Sequence, residues 1–302
     1  MRVLREVVAS ESFSAAADAL HLSQSAVSQQ VAALEREVGL QLLERTSDGP
    51  KLTPAGERLM EHTDAVITRL SEAERELASI AGLEGGKLRL ISFPTASATL
   101  MTRAMSEFRR RHPQIELHFA EGEPEESLPA IKRGDYDLAL TFDFVAFPED
   151  FGRDTASELI FTDPMRVALP VGHPLAASDT VDLAALADDD WLCGDKPSAC
   201  RMHVINACRA AGFEPRISFE SDDYQVIQGL VKAGLGVGLI PELAQPDPDV
   251  VLRDIEPDPP IRRIWAVTRT VETRSPAVDE MLAILRDVGT SWQRERKLQI
   301  AA

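Results

Sequence analysis

Ser12-Phe13-Ser14-Ala15-Ala16-Ala17-Asp18-Ala19-Leu20-His21-Leu22-Ser23-Gln24-Ser25-Ala26-Val27-Ser28-Gln29-Gln30-Val31 reads as two short helices joined by a tight link. Ala15, Ala16, Ala17, Ala19 and Leu20 favour helix, and Ser12 or Ser14 stands where a hydroxyl accepts the first free backbone N–H groups. After His21 and Leu22, Ser23 is placed to cap a second helix with apolar residues at Val27, Val31, Leu34 and Val38, spaced four, three and four apart. One side of that helix is therefore buried. The other carries Gln24, Ser25, Ser28 and Gln29, short or amide side chains able to donate and accept hydrogen bonds at base edges and phosphates.

Outward from this stretch, Gly39 stops the second helix. Leu42-Leu43-Glu44-Arg45 and Lys51-Leu52-Thr53 then flank the turn-forming Ser47-Asp48-Gly49-Pro50, a short hairpin wing presenting Arg45 and Lys51. Thr53-Pro54 opens a helix that runs to about Ala81. Along it Leu59, Thr63, Val66, Leu70, Ala73, Leu77 and Ile80 alternate four and three apart, the spacing of a coiled-coil seam or of a stripe packed on its own chain. Gly82, Gly85 and Gly86 end it.

From Lys87 the pattern changes to strand Leu88–Ile91, helix 98–111, strand Ile115–Phe119, helix 125–133 and strand Leu138–Phe142, a βαβαβ order that predicts an α/β sheet. A second set of strands near Arg166–Leu169, Trp191–Cys193, Ile217–Phe219 and Val237–Ile240 predicts a second α/β lobe after a link near Phe161–Asp163. Ile264–Thr268 is expected to cross back, so that a helix over Pro276–Val288 packs on the first lobe.

Length and composition agree with a multi-unit folded protein: 302 residues, 44% hydrophobic and 27% charged, suit two or three cores of ~100–150 residues. No stretch approaches the ~18 apolar residues that span a bilayer, and the first residues lack an export pattern, so a cytoplasmic protein with no membrane partner is expected. Cys193, Cys200 and Cys208 are then reduced thiols. The net charge of −17 argues against nucleic acid as a partner, and residues 1–60 carry six Lys or Arg against eight Asp or Glu. A DNA-binding reading rests on local pattern.

That pattern resembles the LysR-type transcription regulators through Ser12 to Ala17, Leu22 to Val31, Leu34-Glu35, Gly39, Leu43-Glu44-Arg45 and Leu52-Thr53-Pro54-Ala55-Gly56, although Ser25 stands where the family usually has Pro. The resemblance implies a winged helix-turn-helix over residues 1–56, with Phe13–Ala32 as the helix-turn-helix and Gln24–Glu37 entering the major groove. Ser23, Gln24, Ser25, Ser28, Gln29, Gln30, Arg45 and Lys51 become candidate DNA contacts. It also implies a dimerisation helix and hinge over 57–86, dimers or tetramers on dyad-symmetric double-stranded DNA, and RNA polymerase as a partner. Arg111-His112-Pro113, Gly134 to Leu140, Gly172 to Leu175 and Gly234 to Pro241 resemble the family's effector domain, which looks like a type-two periplasmic binding protein. The expected fold is thus α+β and multi-domain, with an effector domain over 87–302. Its first lobe takes about 87–162 and 268–302, its second about 163–267.

In such sheets ligands collect beyond the carboxyl ends of strands, so the inter-lobe cleft is the expected effector site. Ser92, Thr95, Ala96, Ser97, Glu121, Thr141, Asp143 and Asp222 fall there. Backbone N–H groups near Thr95–Ser97 would hold an anion, and Asp143 or Asp222 an amine, predicting a small polar metabolite. For each hydroxyl, plain helix capping is the competing role.

No cofactor or metal is expected. The glycines of Gly234-Leu235-Gly236-Val237-Gly238 precede an apolar strand, whereas a dinucleotide fingerprint follows one, and the six His show no metal spacing. No catalytic elbow or phosphate loop appears, so an enzyme is not expected. Two other readings stay open: a small-molecule binding protein whose N-terminal region only mediates assembly, and a thiol-based redox sensor. The latter uses Cys200 and Cys208, whose spacing resembles the family's peroxide-sensing branch but which one continuous helix would hold ~12 Å apart.

Overall fold

Ser12 and Ser23 cap their helices as placed: the hydroxyls accept from Ala15 N at 3.4 Å and Ala26 N at 3.2 Å, opening α2 (Phe13–Ala19) and α3 (Gln24–Val38). In this computed structural model the described residues are 1–10, 12–46, 49–63, 66, 69, 86–194, 198–270 and 274–300. They form two compact units, divided at Glu74. The turn Ser47-Asp48, the seam positions Leu70, Ala73, Leu77 and Ile80, and the glycines at 82 and 85 lie outside the described residues.

The first unit adds a helix not anticipated from sequence, α1 (Arg2–Ala9), whose Leu4 and Val7 join Ala16, Ala17, Val27, Val31, Leu42 and Leu43 in one core. Its signal was present in Leu4, Val7 and Val8, three and four apart. His21 takes φ 54° in the link between α2 and α3. Burial on α3 stops short of Val38, which is 40% exposed. Glu35 makes the tie instead, its Oε1 accepting from Leu42 N at 2.8 Å and Leu43 N at 3.2 Å. The wing is β1 (Leu43–Thr46) paired antiparallel with β2 (Gly49–Leu52), Glu44 opposite Lys51. In the following helix α4 (residues 54–63), a Cβ on Gly56 would sit 2.2 Å from Leu42 O, so only glycine lets the helix meet the wing. Leu59 packs on this core and Thr63 is buried, whereas Val66 is exposed, so the first turns of the stripe serve their own chain.

The second unit holds two sheets. One orders β4 (Ile115–Glu121), β3 (Gly86–Ser92), β5 (Leu138–Phe144), β12 (Ile261–Arg269) and the first part of β6 (Thr155–Pro170). The other orders β9 (Arg216–Glu220), β8 (Asp190–Cys193), β10 (Val237–Pro241), the rest of β6, β11 (Val250–Ile255) and β7 (Thr180–Val181). Helices α5 (Thr102–Arg111), α6 (Pro124–Arg133), α7 (Ala199–Ala210), α8 (Tyr224–Lys232) and α9 (Pro276–Ile300) complete the lobes. A π-helical turn, Ser97–Met101, leads into α5.

Both crossings differ from expectation. Phe161–Asp163 is no link but the middle of β6, which pairs with β12 through Pro164 and with β10 from Met165 onward. A strand of 16 residues can serve two sheets without a loop, because Phe161, Asp163, Met165 and Val167 stay buried in one phase across the crossing. Nor does Ile264–Thr268 cross back: β12 lies wholly in the first sheet, with Arg262 to Val267 paired to Phe144 to Ala139. The return lies upstream, where Pro257, Pro259 and Pro260 have no N–H to give a ladder. The lobes therefore meet near residues 164–165 and 256–260 rather than at 162–163 and 267–268. β7 and β11 were also not anticipated. The glycine run is structural: Gly234 follows α8 at φ 73°, and a Cβ on Gly236 would lie 2.5 Å from Asp190 O, where β10 approaches β8.

Candidate functional sites

On α3, Val27 and Val31 are buried while Ser23, Gln24, Ser25, Gln29 and Gln30 are exposed and Ser28 is half-buried. Ser23 and Ser25 hydroxyls lie 3.0 Å apart at the helix start. Lys51 is exposed on β2, one register step from Arg45 on β1. The helix thus presents one contiguous open face of amides and hydroxyls beside a two-stranded wing, with partial positive charge at its N-terminus.

In the second unit the cleft between the lobes is walled by the turn Pro94–Ala96 after β3, the start of α6, and the starts of α7 and α8. Four helical N-termini converge on it, as a sheet's switch point requires. It encloses 50 Å³, lined among others by Thr95, Glu123, Phe142, Asp222, Tyr224 and Arg262.

Arg262 is the pivot of this cleft. It is 1% exposed and Asp163 0%, with Nε at 3.1 Å and Nη2 at 2.6 Å from Asp163 Oδ2. The same Nη2 donates to Thr95 Oγ1 at 3.0 Å, and the guanidinium lies 5.0 Å from the Phe93 ring centroid and 5.1 Å from that of Phe142. Arg262 and Asp163 are register partners of β12 and β6, beside the point where β6 changes sheets. Buried unpaired, either charge is severely penalised, so the pair locks these strands at the crossing.

Of the eight effector positions expected from sequence, Thr95 and Asp222 line the cleft. Ser97 is spent as a donor to the carbonyls of Ser92 and Phe93 at 3.1 and 2.9 Å, a bond back to its own backbone that is neither a helix cap nor a ligand contact. Ser92, Ala96 and Thr141 are fully buried, and Glu121 is exposed at the end of β4. Asp143 is no free partner for an amine: Arg263 Nε, Trp265 Nε1 and Glu149 N donate to it at 2.8, 2.9 and 3.0 Å, and Arg263 Nη2 at 2.5 Å.

Sequence reading missed Arg262, Asp163, Glu123, Phe93, Phe142 and Tyr224. A signal existed for two: Arg262 shares the inward phase of its strand with Ile264 and Ala266, and Asp163 with Phe161 and Met165. Burial and the nearby charge of Glu125 push Glu123 up to about 7, while Arg262 pulls against that rise and Asp222 and Glu126 add to it. Cys200 also lines the cleft and accepts from Tyr224 Oη at 3.6 Å, but burial pushes its thiol up to about 11. Burial pushes Cys208 to about 12. Both sit on the continuous helix α7, so neither is a ready thiolate and no bridge forms without unwinding.

Residues 1–57 match the bacterial regulatory helix-turn-helix proteins of the lysR family, and residues 81–290 match the LysR substrate binding domain. The transcriptional dual regulator GltC of Bacillus subtilis is 33% identical over 243 residues, 80% of this chain and 79% of that one. A probable hydrogen peroxide-inducible genes activator of Mycobacterium avium is 31% identical over 305 residues, 98% and 95% of the two chains. The full-length structure of an OxyR variant from Pseudomonas aeruginosa superposes with a TM-score of 0.63 at 22% identity, covering 94% of this chain and 96% of that one, a likeness of fold.

Proposed function

The chain belongs to the LysR family of DNA-binding transcription regulators with an effector-binding domain, and from that premise we propose how it reads DNA and receives its signal. Gln24, Ser25, Ser28, Gln29 and Gln30 address base edges in the major groove, and Ser23, Arg45 and Lys51 hold phosphates. The chain assembles as dimers, and dimers as tetramers, on dyad-symmetric promoter sites in the cytoplasm, where it meets RNA polymerase; it regulates and does not catalyse.

A small polar metabolite enters the inter-lobe cleft beside Thr95, Asp222 and Arg262. The observation that carries this is the Arg262–Asp163 pair: one guanidinium reaches the cleft wall at Thr95 and, at the same time, ties β12 to β6 where the sheets change. A ligand that competes for Thr95 or Arg262 favours one lobe angle over another, and only such unequal binding shifts an equilibrium. Thermal unfolding of the full chain against amino acids, organic acids, aromatics and nucleosides tests this. A specific ligand raises the midpoint in the wild type. Asp222→Ala, at the cleft wall, loses that shift; a shift untouched by Asp222→Ala places the ligand elsewhere.

A further inference from the structure

A second cavity, of 270 Å³, is walled by Val145 and Phe147 after β5, by Leu183, by α7 and by the returning segment at Pro259–Ile261. Its walls thus come from both lobes and from one of the two crossings between them. The mouth is apolar: Phe147 is 47% exposed and Val145 55%. A cavity of about 150 Å³ lined by aliphatic side chains takes up benzene, so 270 Å³ accommodates a bicyclic ring.

One wall residue carries an unmet demand. His203 is 4% exposed, its ring is stacked on Phe144 at 3.7 Å and 10°, and its Nε2 has no hydrogen-bond partner among the described residues. Buried polar atoms are paired with few exceptions, and each exception calls for an explanation; in a residue that lines a cavity, a ligand donor reaching the atom as the wall side chains shift is one. Burial, helped by Arg262, holds the imidazole down to about 3, so the ring is neutral and offers one donor and one acceptor nitrogen. Among the described residues no Lys or Arg lines the cavity, whereas Asp258 does, which disfavours an anionic guest.

We propose that this cavity binds an uncharged, planar bicyclic aromatic molecule bearing a ring N–H, of the size of indole, with that N–H given to His203 and the ring held between Phe147 and α7. The site is separate from the cleft beside Arg262. Because its walls span both lobes, an occupant that binds two lobe angles unequally shifts the same equilibrium as the cleft ligand and is coupled to it.

Calorimetric titration of the full chain with indole, benzofuran and indole-3-acetate tests it. Indole binds saturably, benzofuran, which lacks the N–H, more weakly, and the acetate at least about tenfold more weakly than indole. His203→Phe keeps the stacking surface; it costs indole about tenfold and leaves benzofuran unchanged. Ala207→Phe, or Ala210→Trp at the exposed rim should the first variant not fold, fills the space and abolishes binding of both. Absence of saturable indole binding, tighter binding of the acetate, equal loss of indole and benzofuran in His203→Phe, or binding unaltered by the filling variant overturns the proposal.

Discussion

The two ends of the molecule prepare for their ligands in opposite ways. On α3 the amide side chains stand open: Gln24, Gln29 and Gln30 are exposed on a helix fixed from beneath by Val27 and Val31. In the second unit the polar residues nearest the first strand are already spent, Ser97 on carbonyls and Asp143 on four donors, and the cleft depends on a buried ion pair from two strands. A surface that reads a long, rigid ligand needs open donors and acceptors. A cleft proposed to change shape with its ligand needs a lock that the ligand can bias.

The comparison breaks most visibly at the lock. Asp163→Asn leaves Arg262 buried without its counter-charge, and chemical denaturation is expected to show a loss of about 3–5 kcal/mol in the second unit; a loss below about 1 kcal/mol, the value of an exposed pair, would mean the pair locks nothing. On the open face, Gln24→Ala or Gln29→Ala leaves stability unchanged and costs about 1–3 kcal/mol of discrimination between specific and random DNA, read by gel shift. Lys51→Ala should weaken all DNA alike and reduce the salt slope by about one.

The cleft sharpens the contrast through pH. Glu123 is held at about 7 when folded, against 4.5 unperturbed. A carboxyl with a raised folded value is neutral in both states below 4.5, and the fold loses stability as pH rises from 4.5 to 7, with no further change above. Glu123→Gln therefore matches wild type at pH 4 and exceeds it by about 1–2 kcal/mol at pH 8, allowing for partial exposure. Equal stability of the two chains at pH 8 would refute this account of the acidic wall. Smallest of all, Ser23→Ala removes the α3 cap and costs about 1 kcal/mol of thermal stability in the first unit.

Legibility from sequence follows the same division. Helix α3, its cap, the αL stop at Gly39 and the wing were readable because each depends on neighbours in the chain. So were the strands over Leu88–Ile91 and Val237–Ile240, by apolar run and flanking glycine. What escaped depends on partners far apart. Arg262 lies 99 residues from Asp163, and only its inward phase on β12 hinted that a charge was buried. The crossings escaped because β6 passes through the first without a break, while the second is marked by missing N–H groups at Pro257, Pro259 and Pro260 rather than by any apolar pattern. Among the hydroxyls, Ser97 is taken by the carbonyls of its own backbone four and five residues upstream, neither the cap nor the ligand contact expected, an outcome that periodicity does not decide.

The most direct test of the central claim is nuclease footprinting of the full chain on its own upstream DNA at fixed salt, wild type beside the Gln24→Ala, Gln29→Ala double variant. The account predicts a discrete, two-fold-related protected site for the wild type and none for the variant at the same concentration, with both chains unfolding at the same temperature. An identical protected site for both would contradict it.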